Sequence, residues 1–386
     1  MRYLIKSGEI FLKDRILNKG AILINNEIIE EVKTVNTYED IEIIDLSNYK
    51  VLPGLIDTHI HGANGYDTMD ANYASLNEIS KYLGTIGVTG FLATTVTAPW
   101  DKITAAVKNI HETMKSGVEG AELLGAYIEG PFITEKYRGA HPSEYIRKIY
   151  IEDMKKLVDS FPSCIKTVTV APDKENAIEL IKYLKSQNIN SSIGHTNATY
   201  DEALAAIEAG ANIAVHVFNG MRGLHHREPG IVGAVLSDSR VCCELIADMT
   251  HVHPAVMKLI VKTKGSHNIG LITDCMMAGG MDDGEYMLGE LKVFVEDGVA
   301  RIENGSLAGS TLKLINAVKN MNEYVGVDLI EAVNMASLIP AQIAGVDHVQ
   351  GSIEKGKKAN FTVIDDNYNV VMTMVNGKIV YSSNTI

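Results

Sequence analysis

The sequence has little with which to staple itself together, and nothing long enough to cross a membrane. Its four cysteines are one adjacent pair, Cys242 and Cys243, and two isolated residues, Cys164 and Cys275. That spacing offers neither a disulfide framework nor a C-x-x-C metal knuckle, so all four read as reduced thiols. Cys275 stands beside Asp274 without a surrounding nucleophile motif, which favours a small buried residue over a catalytic one. No run approaches the roughly 18 apolar residues of a membrane span. Charges at Arg2 and Lys6 interrupt the apolar stretch of the first eight residues, leaving no signal-peptide core, and a cytoplasmic location is the expectation. Internal repeats at the roughly 20–50 residue periods of solenoids are absent too. Positive charge is in deficit: the net charge of -13 repels nucleic acid and anionic membranes. A local basic group can still hold a small anionic substrate.

What is there is an ordinary globular chain, 46% hydrophobic and 22% charged, whose 386 residues suit a barrel of roughly 250 residues with a smaller companion. Near the N-terminus, Gly20–Ile24 and Ile28–Val32 are strand-like runs broken at a turn, Asn25-Asn26. Near the C-terminus, Ala359–Ile364 and Val370–Val375 are similar, and Asn376-Gly377 turns the chain into Lys378–Tyr381. Both ends are therefore expected to share one small β domain, 1–50 plus 350–386, with a larger domain, 51–349, between them.

From Val51 to about Ala344, apolar strands alternate with helical segments, the pattern of βα units around a buried parallel sheet. Eight strands are expected. The first runs from Val51 and ends at His59-Ile60-His61; the others end near Thr95, Glu129, Ala171, His195, His216, Asp248 and Asp274. Between the fifth and sixth, Tyr200, Leu204 and Ile207 share a helical face over Tyr200–Ala209, with Thr199 as N-cap and Gly210 as stop. The expected fold class is α/β, a (β/α)₈ TIM-like barrel with a small β-sandwich domain formed by both chain ends.

The residues with metal-ligand chemistry fall at the C-terminal ends of these strands, the face where such barrels assemble their sites. His59 and His61, two apart on a strand, point to the same side. Glu129 ends the third strand at a Gly-Pro break, and His195 and His216 follow the fifth and sixth. Each alone reads equally well as a structural residue. Five at equivalent strand ends are hard to explain by packing, and imidazole with carboxylate suits zinc, iron or a similar divalent ion. Asp274, after the eighth strand, has the position of a general base for an activated water, against the blander reading of a helix cap.

The run Val51-Leu52-Pro53-Gly54-Leu55-Ile56-Asp57-Thr58-His59-Ile60-His61 resembles the opening motif of the amidohydrolase superfamily, and Gly356-Lys357-Lys358-Ala359-Asn360 resembles its closing motif, with Asn360 where aspartate is more usual. Glu129 in its Glu-Gly-Pro-Phe setting narrows the resemblance to the N-acetylglucosamine-6-phosphate deacetylases. The likeness continues through Arg138–His141, Gly194–Thr196, His216–Met221, Arg227–Gly230, Asp248–Pro254 and Leu307–Ser310. It implies Glu129, His195 and His216 as ligands of one ion, Asp274 as general acid and base, and a second ion at His59 and His61, a pair that some members lack. It also implies Asn219, Gly220 and Arg227 near the phosphate, and His141 and His251, with Ala140 and Leu307, near the sugar. In that family the phosphate-binding arginine can come from a neighbouring subunit, so a homodimer is expected. A guanidinium suits phosphate geometrically, although a surface ion pair with Glu228 is the blander reading of Arg227.

The implied reaction is hydrolysis of N-acetyl-D-glucosamine 6-phosphate to D-glucosamine 6-phosphate and acetate, in amino-sugar catabolism or recycling. The alternatives are an amidohydrolase for a different N-acyl amino sugar and a catalytically silent sugar-phosphate binder. A hydantoinase-like enzyme would place a lysine at the end of the fourth strand, where this chain has Val170-Ala171-Pro172. A ring deaminase fits the settings of Glu129 and Arg227 less well.

Overall fold

The computed structural model describes residues 2–34 and 41–383. Eight parallel strands form one sheet in strictly sequential order: β1 (Leu55–Ile60), β2 (Val88–Thr95), β3 (Glu122–Ile128), β4 (Ile165–Val170), β5 (Asn190–Ile193), β6 (Ile213–Ala214), β7 (Cys242–Ile246) and β8 (Ile269–Ile272). The sheet curls until its two edges meet. The Asp274 amide donates to the His59 carbonyl at 2.9 Å and the His61 amide to the Cys275 carbonyl at 2.8 Å, joining the C-terminal ends of β8 and β1. This is the expected (β/α)₈ barrel.

The strands are buried along nearly their whole length, because helices cover the outside and side chains fill the inside. The helix Trp100–Ser116 shows how the cover is made: Ile103, Ala106, Val107 and Ile110 are buried at helical spacing while the opposite face is charged. Each fully buried isoleucine of this kind is worth about 1.5–3 kcal/mol of transfer free energy. The helix Tyr200–Ala209 has the expected bounds, and Thr199 and Glu202 close its N-terminus with a reciprocal capping box.

Both chain ends build a second, seven-stranded sheet in which Phe361–Ile364 pairs with Glu42–Pro53, next to Arg2–Phe11. The first barrel strand is therefore shorter than expected. Val51–Pro53 belong to this sheet, and Gly54 hands the chain over to β1. The sheet folds back on itself: the Tyr3 hydroxyl donates to the Gly377 carbonyl at 2.7 Å, although two strands separate Arg2–Phe11 from Val370–Val375 in the hydrogen-bonded order. Ile5, Ile22, Ile24, Phe361, Val363 and Met372 pack in the resulting core.

One element was not foreseen. After β8, a three-stranded antiparallel sheet (Gly284–Leu288, Leu291–Glu296, Val299–Arg301) stands over the C-terminal face of the barrel. It carries Leu288 and the following Leu307 segment to the mouth of the barrel. Among the described residues no helix is long and apolar enough to cross a membrane.

Candidate active site

At the C-terminal face of the barrel a cavity of about 320 Å³ is lined by His61, Glu129, His141, His195, His216 and Asp274, with Ala140, Asn219, Gly220, His251 and Leu307 around them. Of the residues picked out from sequence, His59 lies directly beneath that lining, and Arg227 is not part of it.

The backbone turns sharply to aim these side chains. His195, His216 and Asp274 each sit two residues past the end of β5, β6 and β8, and all three have positive φ, at 45°, 24° and 51°. Non-glycine residues seldom hold such a conformation, which costs on the order of 1–3 kcal/mol each and concentrates where function requires it. Glycine is required nearby for a related reason. A Cβ on Gly220, at φ +60°, would lie 2.7 Å from the His195 Nδ1, and one on Gly309 would lie 2.9 Å from the Asp274 carbonyl oxygen.

Hydrogen bonds made by the far ring nitrogens fix what His195 and His216 present to the cavity. His195 Nδ1 lies 2.9 Å from the Tyr137 carbonyl and His216 Nδ1 lies 3.1 Å from the Asn219 carbonyl. A carbonyl only accepts, so both Nδ1 atoms carry hydrogen, and in the neutral rings the Nε2 lone pairs face inward. Those two Nε2 atoms are 3.0 Å apart and lie 3.2 and 2.9 Å from Glu129 Oε1. Three acceptors held this close repel one another unless a cation lies among them. His61 Nε2 lies 3.2 Å from Glu129 Oε2 and 3.1 Å from Asp274 Oδ1, while His59 Nε2 has no hydrogen-bond partner among the described residues. Glu129 thus stands between two donor sets, one from His195 and His216 and one from His59, His61 and Asp274. A buried set of imidazoles and carboxylates with an orphaned imidazole nitrogen fits divalent metal ions.

His141 differs from the other histidines. The Thr97 amide, which can only donate, points at His141 Nδ1 from 3.3 Å, so in the neutral ring the hydrogen resides on Nε2, 3.4 Å from Glu129 Oε2. Although His141 is near enough to join Glu129 and His195 around an ion, this tautomer makes it a hydrogen-bond donor into the cavity. Burial pushes its pKa down to about 4, so it is neutral at physiological pH.

The carboxylates and strand-one histidines shift in opposite directions. Burial alone would raise Asp274, but its hydrogen bond from His61 and the nearby His59 hold it down at about 2. Burial alone would lower His61, yet Asp274 and Glu129 raise it to about 9. His59 is raised well above the ordinary range and Glu129 lowered well below it, burial in each case being outweighed by the opposite charge.

The model of the amidohydrolase family matches residues 50–380. The chain belongs to the amidohydrolase family. It is similar to the N-acetylglucosamine-6-phosphate deacetylase of Vibrio furnissii, 42% identical over 93% of this chain and 90% of that one. It is also similar to the N-acetylgalactosamine-6-phosphate deacetylase of Escherichia coli O157:H7, 40% identical over 98% of this chain and 99% of that one. Among solved structures, an aspartate-to-alanine mutant of the Mycobacterium smegmatis N-acetyl-D-glucosamine-6-phosphate deacetylase, in complex with N-acetyl-D-glucosamine-6-phosphate, superposes with a TM-score of 0.94. It is 30% identical and covers 99% of this chain and 100% of that one.

Further residues of this amidohydrolase bear on the sequence reading. Arg227 is exposed on the loop before helix Gly230–Ser237, its Nη1 2.8 Å from His226 Nε2. The ion pair with Glu228, the blander reading of Arg227, is made instead by Arg222. Asp57, within the opening motif, serves barrel closure: its carboxylate accepts from the Thr273 hydroxyl at 2.5 Å, tying β1 to the end of β8. His251 is braced by Asp248, Nδ1 to Oδ2 2.6 Å, and presents its other edge to the cavity. Sequence reasoning missed Glu244 and Tyr127, which lie buried under His59. The available signal was a lone carboxylate in the apolar run Val241–Ala247.

Proposed function

We propose that this enzyme hydrolyses N-acetyl-D-glucosamine 6-phosphate to D-glucosamine 6-phosphate and acetate. One observation carries the reading: three buried acceptors, Glu129 Oε1, His195 Nε2 and His216 Nε2, converge within 3.2 Å of one another, and the ionised Asp274 stands across the same cavity. The named activities of its full-length relatives support the substrate class.

In this reading Glu129, His195 and His216 would hold one ion of zinc or iron, and His59 and His61 would hold a second. A divalent ion there supplies Lewis acidity toward the amide carbonyl and the attacking water. Asp274 takes one proton from that water as its oxygen bonds to the acetyl carbon. It then delivers the proton to the amide nitrogen as the carbon–nitrogen bond breaks. The Nε2–H of His141 donates to the carbonyl oxygen, whose charge grows as the carbon becomes tetrahedral. Asn219, Gly220 and His251, with Ala140 and Leu307, contact the sugar phosphate and hold the acetamide in place.

Arg227 reaches the phosphate of a neighbouring subunit in a homodimer, which reconciles its chemistry with its exposure. The remote phosphate then orients the reacting amide without entering the bond change. Four unpaired cysteines suit the reducing cytoplasm in which we place the enzyme.

The test is acetate release by the purified protein, with metal content measured on the same sample and a chelated control. N-acetylgalactosamine 6-phosphate, the epimer at C4, is assayed in parallel. Chelator-sensitive release, faster with the gluco epimer, is expected. No release from fully metallated protein with either epimer would overturn the assignment.

A further inference from the structure

Glu244 occupies a costly place. It is on β7 with its side chain completely buried, flanked in sequence by Cys243 and Leu245, which are buried too. A carboxylate is held in such surroundings only where something compensates it. Its Oε2 lies 3.3 Å from His59 Nδ1 and accepts a hydrogen bond from the Tyr127 hydroxyl, also at 3.3 Å. Its Oε1 has no hydrogen-bond partner among the described residues. The Tyr127 ring packs on the His59 ring, with centroids 4.5 Å apart.

A carboxylate without a proton only accepts, so the contact with Glu244 places a hydrogen on His59 Nδ1. Nε2 is left pointing into the cluster, 3.5 Å from Glu129 Oε1 and 3.6 Å from Asp274 Oδ1, without a hydrogen bond of its own. The other inward-facing histidines are braced differently. His195 and His216 lean on the neutral carbonyls of Tyr137 and Asn219. His59 is backed by a carboxyl group, which raises the basicity of the ring and sets a second negative charge behind the nitrogen that faces the site.

We propose that Glu244 and Tyr127 are a positioning pair that holds His59 as an Nε2 ligand and thereby sets the affinity of the His59/His61 ion. The ion at Glu129, His195 and His216 does not depend on them. This inference rests on the reading that His59 and His61 hold an ion at all.

The experiment is a Zn²⁺ titration of metal-stripped wild type, Glu244→Gln and Tyr127→Phe against a chromophoric chelator. Near-UV circular dichroism reports on folding. The step belonging to the strand-one ion is the one missing in His61→Asn. In Glu244→Gln that step is expected to weaken about 10–100-fold, the usual effect of removing an outer partner from a ligand histidine, with the other step unchanged. Tyr127→Phe is expected to shift the same step in the same direction by a smaller factor. If Glu244→Gln does not fold, Tyr127→Phe decides alone. Unchanged affinities in a wild type that takes two ions would overturn the inference and leave the two-ion reading standing. Equal weakening of both steps would overturn it as well, since the pair would then be a general support. A wild type that takes only one Zn²⁺ removes the two-ion reading, and the inference with it.

Discussion

The floor of the cavity and the Arg227 loop are built on opposite principles. On the floor, Glu129, His59, His61, His195, His216 and Asp274 are all buried, each held by strand ends or by atoms of the same chain. On the loop, Arg227 is exposed and its guanidinium touches the adjacent His226. The floor must keep several acceptors at mutually repulsive distances, which only a rigid, water-excluding frame can do. A phosphate clamp needs a planar guanidinium that can reach, and a loop of one subunit can supply it to another. On the proposed reading, a complete reaction centre and an incomplete substrate site coexist in one chain.

The sharpest break in that comparison is Asp274→Asn. On the proposed reading it removes the proton carrier from the floor and leaves Glu129, His195 and His216 to hold an ion. Turnover is expected to fall on the order of 10²–10⁴-fold, the usual range for general acid–base catalysis. Metal analysis should still find the ion held by those three residues; near-normal turnover would remove Asp274 from its role.

Next is Arg227→Ala. A charge-assisted hydrogen bond is worth about 1.5–3 kcal/mol, so kcat/KM for the phosphorylated substrate should drop about 10–100-fold. Activity on unphosphorylated N-acetylglucosamine should be the same in variant and wild type. If the arginine acts across subunits, mixing the impaired Asp274→Asn and Arg227→Ala proteins under exchange should raise activity on the phosphorylated substrate, up to about a quarter of wild type, because each hybrid dimer has one intact site. No recovery in verified hybrids would place the arginine in its own subunit's site.

The same contrast decides what was legible in the sequence. Strand alternation and the position of strand ends fix where a side chain points, so His59, His61, Glu129, His195, His216 and Asp274 could be found without coordinates. The chain-end sheet was legible because its turn at Asn376-Gly377 joins two short apolar runs. Glu244 was not, since a carboxylate one residue beyond Cys243 reads equally as the outward face of an alternating strand. The sheet over Gly284–Arg301 was missed because its alternation is half exposed and resembles a long connection. Arg227 was legible as chemistry but not as position, because it stands exposed on a loop, where no strand alternation fixes the direction of a side chain.

The smallest expected effect concerns protons and metal on the floor. His61 has its pKa raised from an ordinary 6.5 to about 9 by Asp274 and Glu129, against the opposing effect of burial. A raised folded-state pKa means that the bound proton stabilises the metal-free protein fully below about pH 6.5 and that this contribution is lost as pH climbs through about 9. A ligand nitrogen must also lose its proton to take an ion, so metal competes poorly at low pH and well at high pH. Both effects have the same sign. The rise in Tm on adding saturating Zn²⁺ should therefore be larger at pH 8.5 than at pH 6 by a few degrees, as measured by scanning calorimetry. Arg227→Ala should leave that difference untouched, because the loop takes no part in it. His61→Asn should shrink it, and a pH-independent rise in wild type would show that His61 keeps its proton when the metal binds.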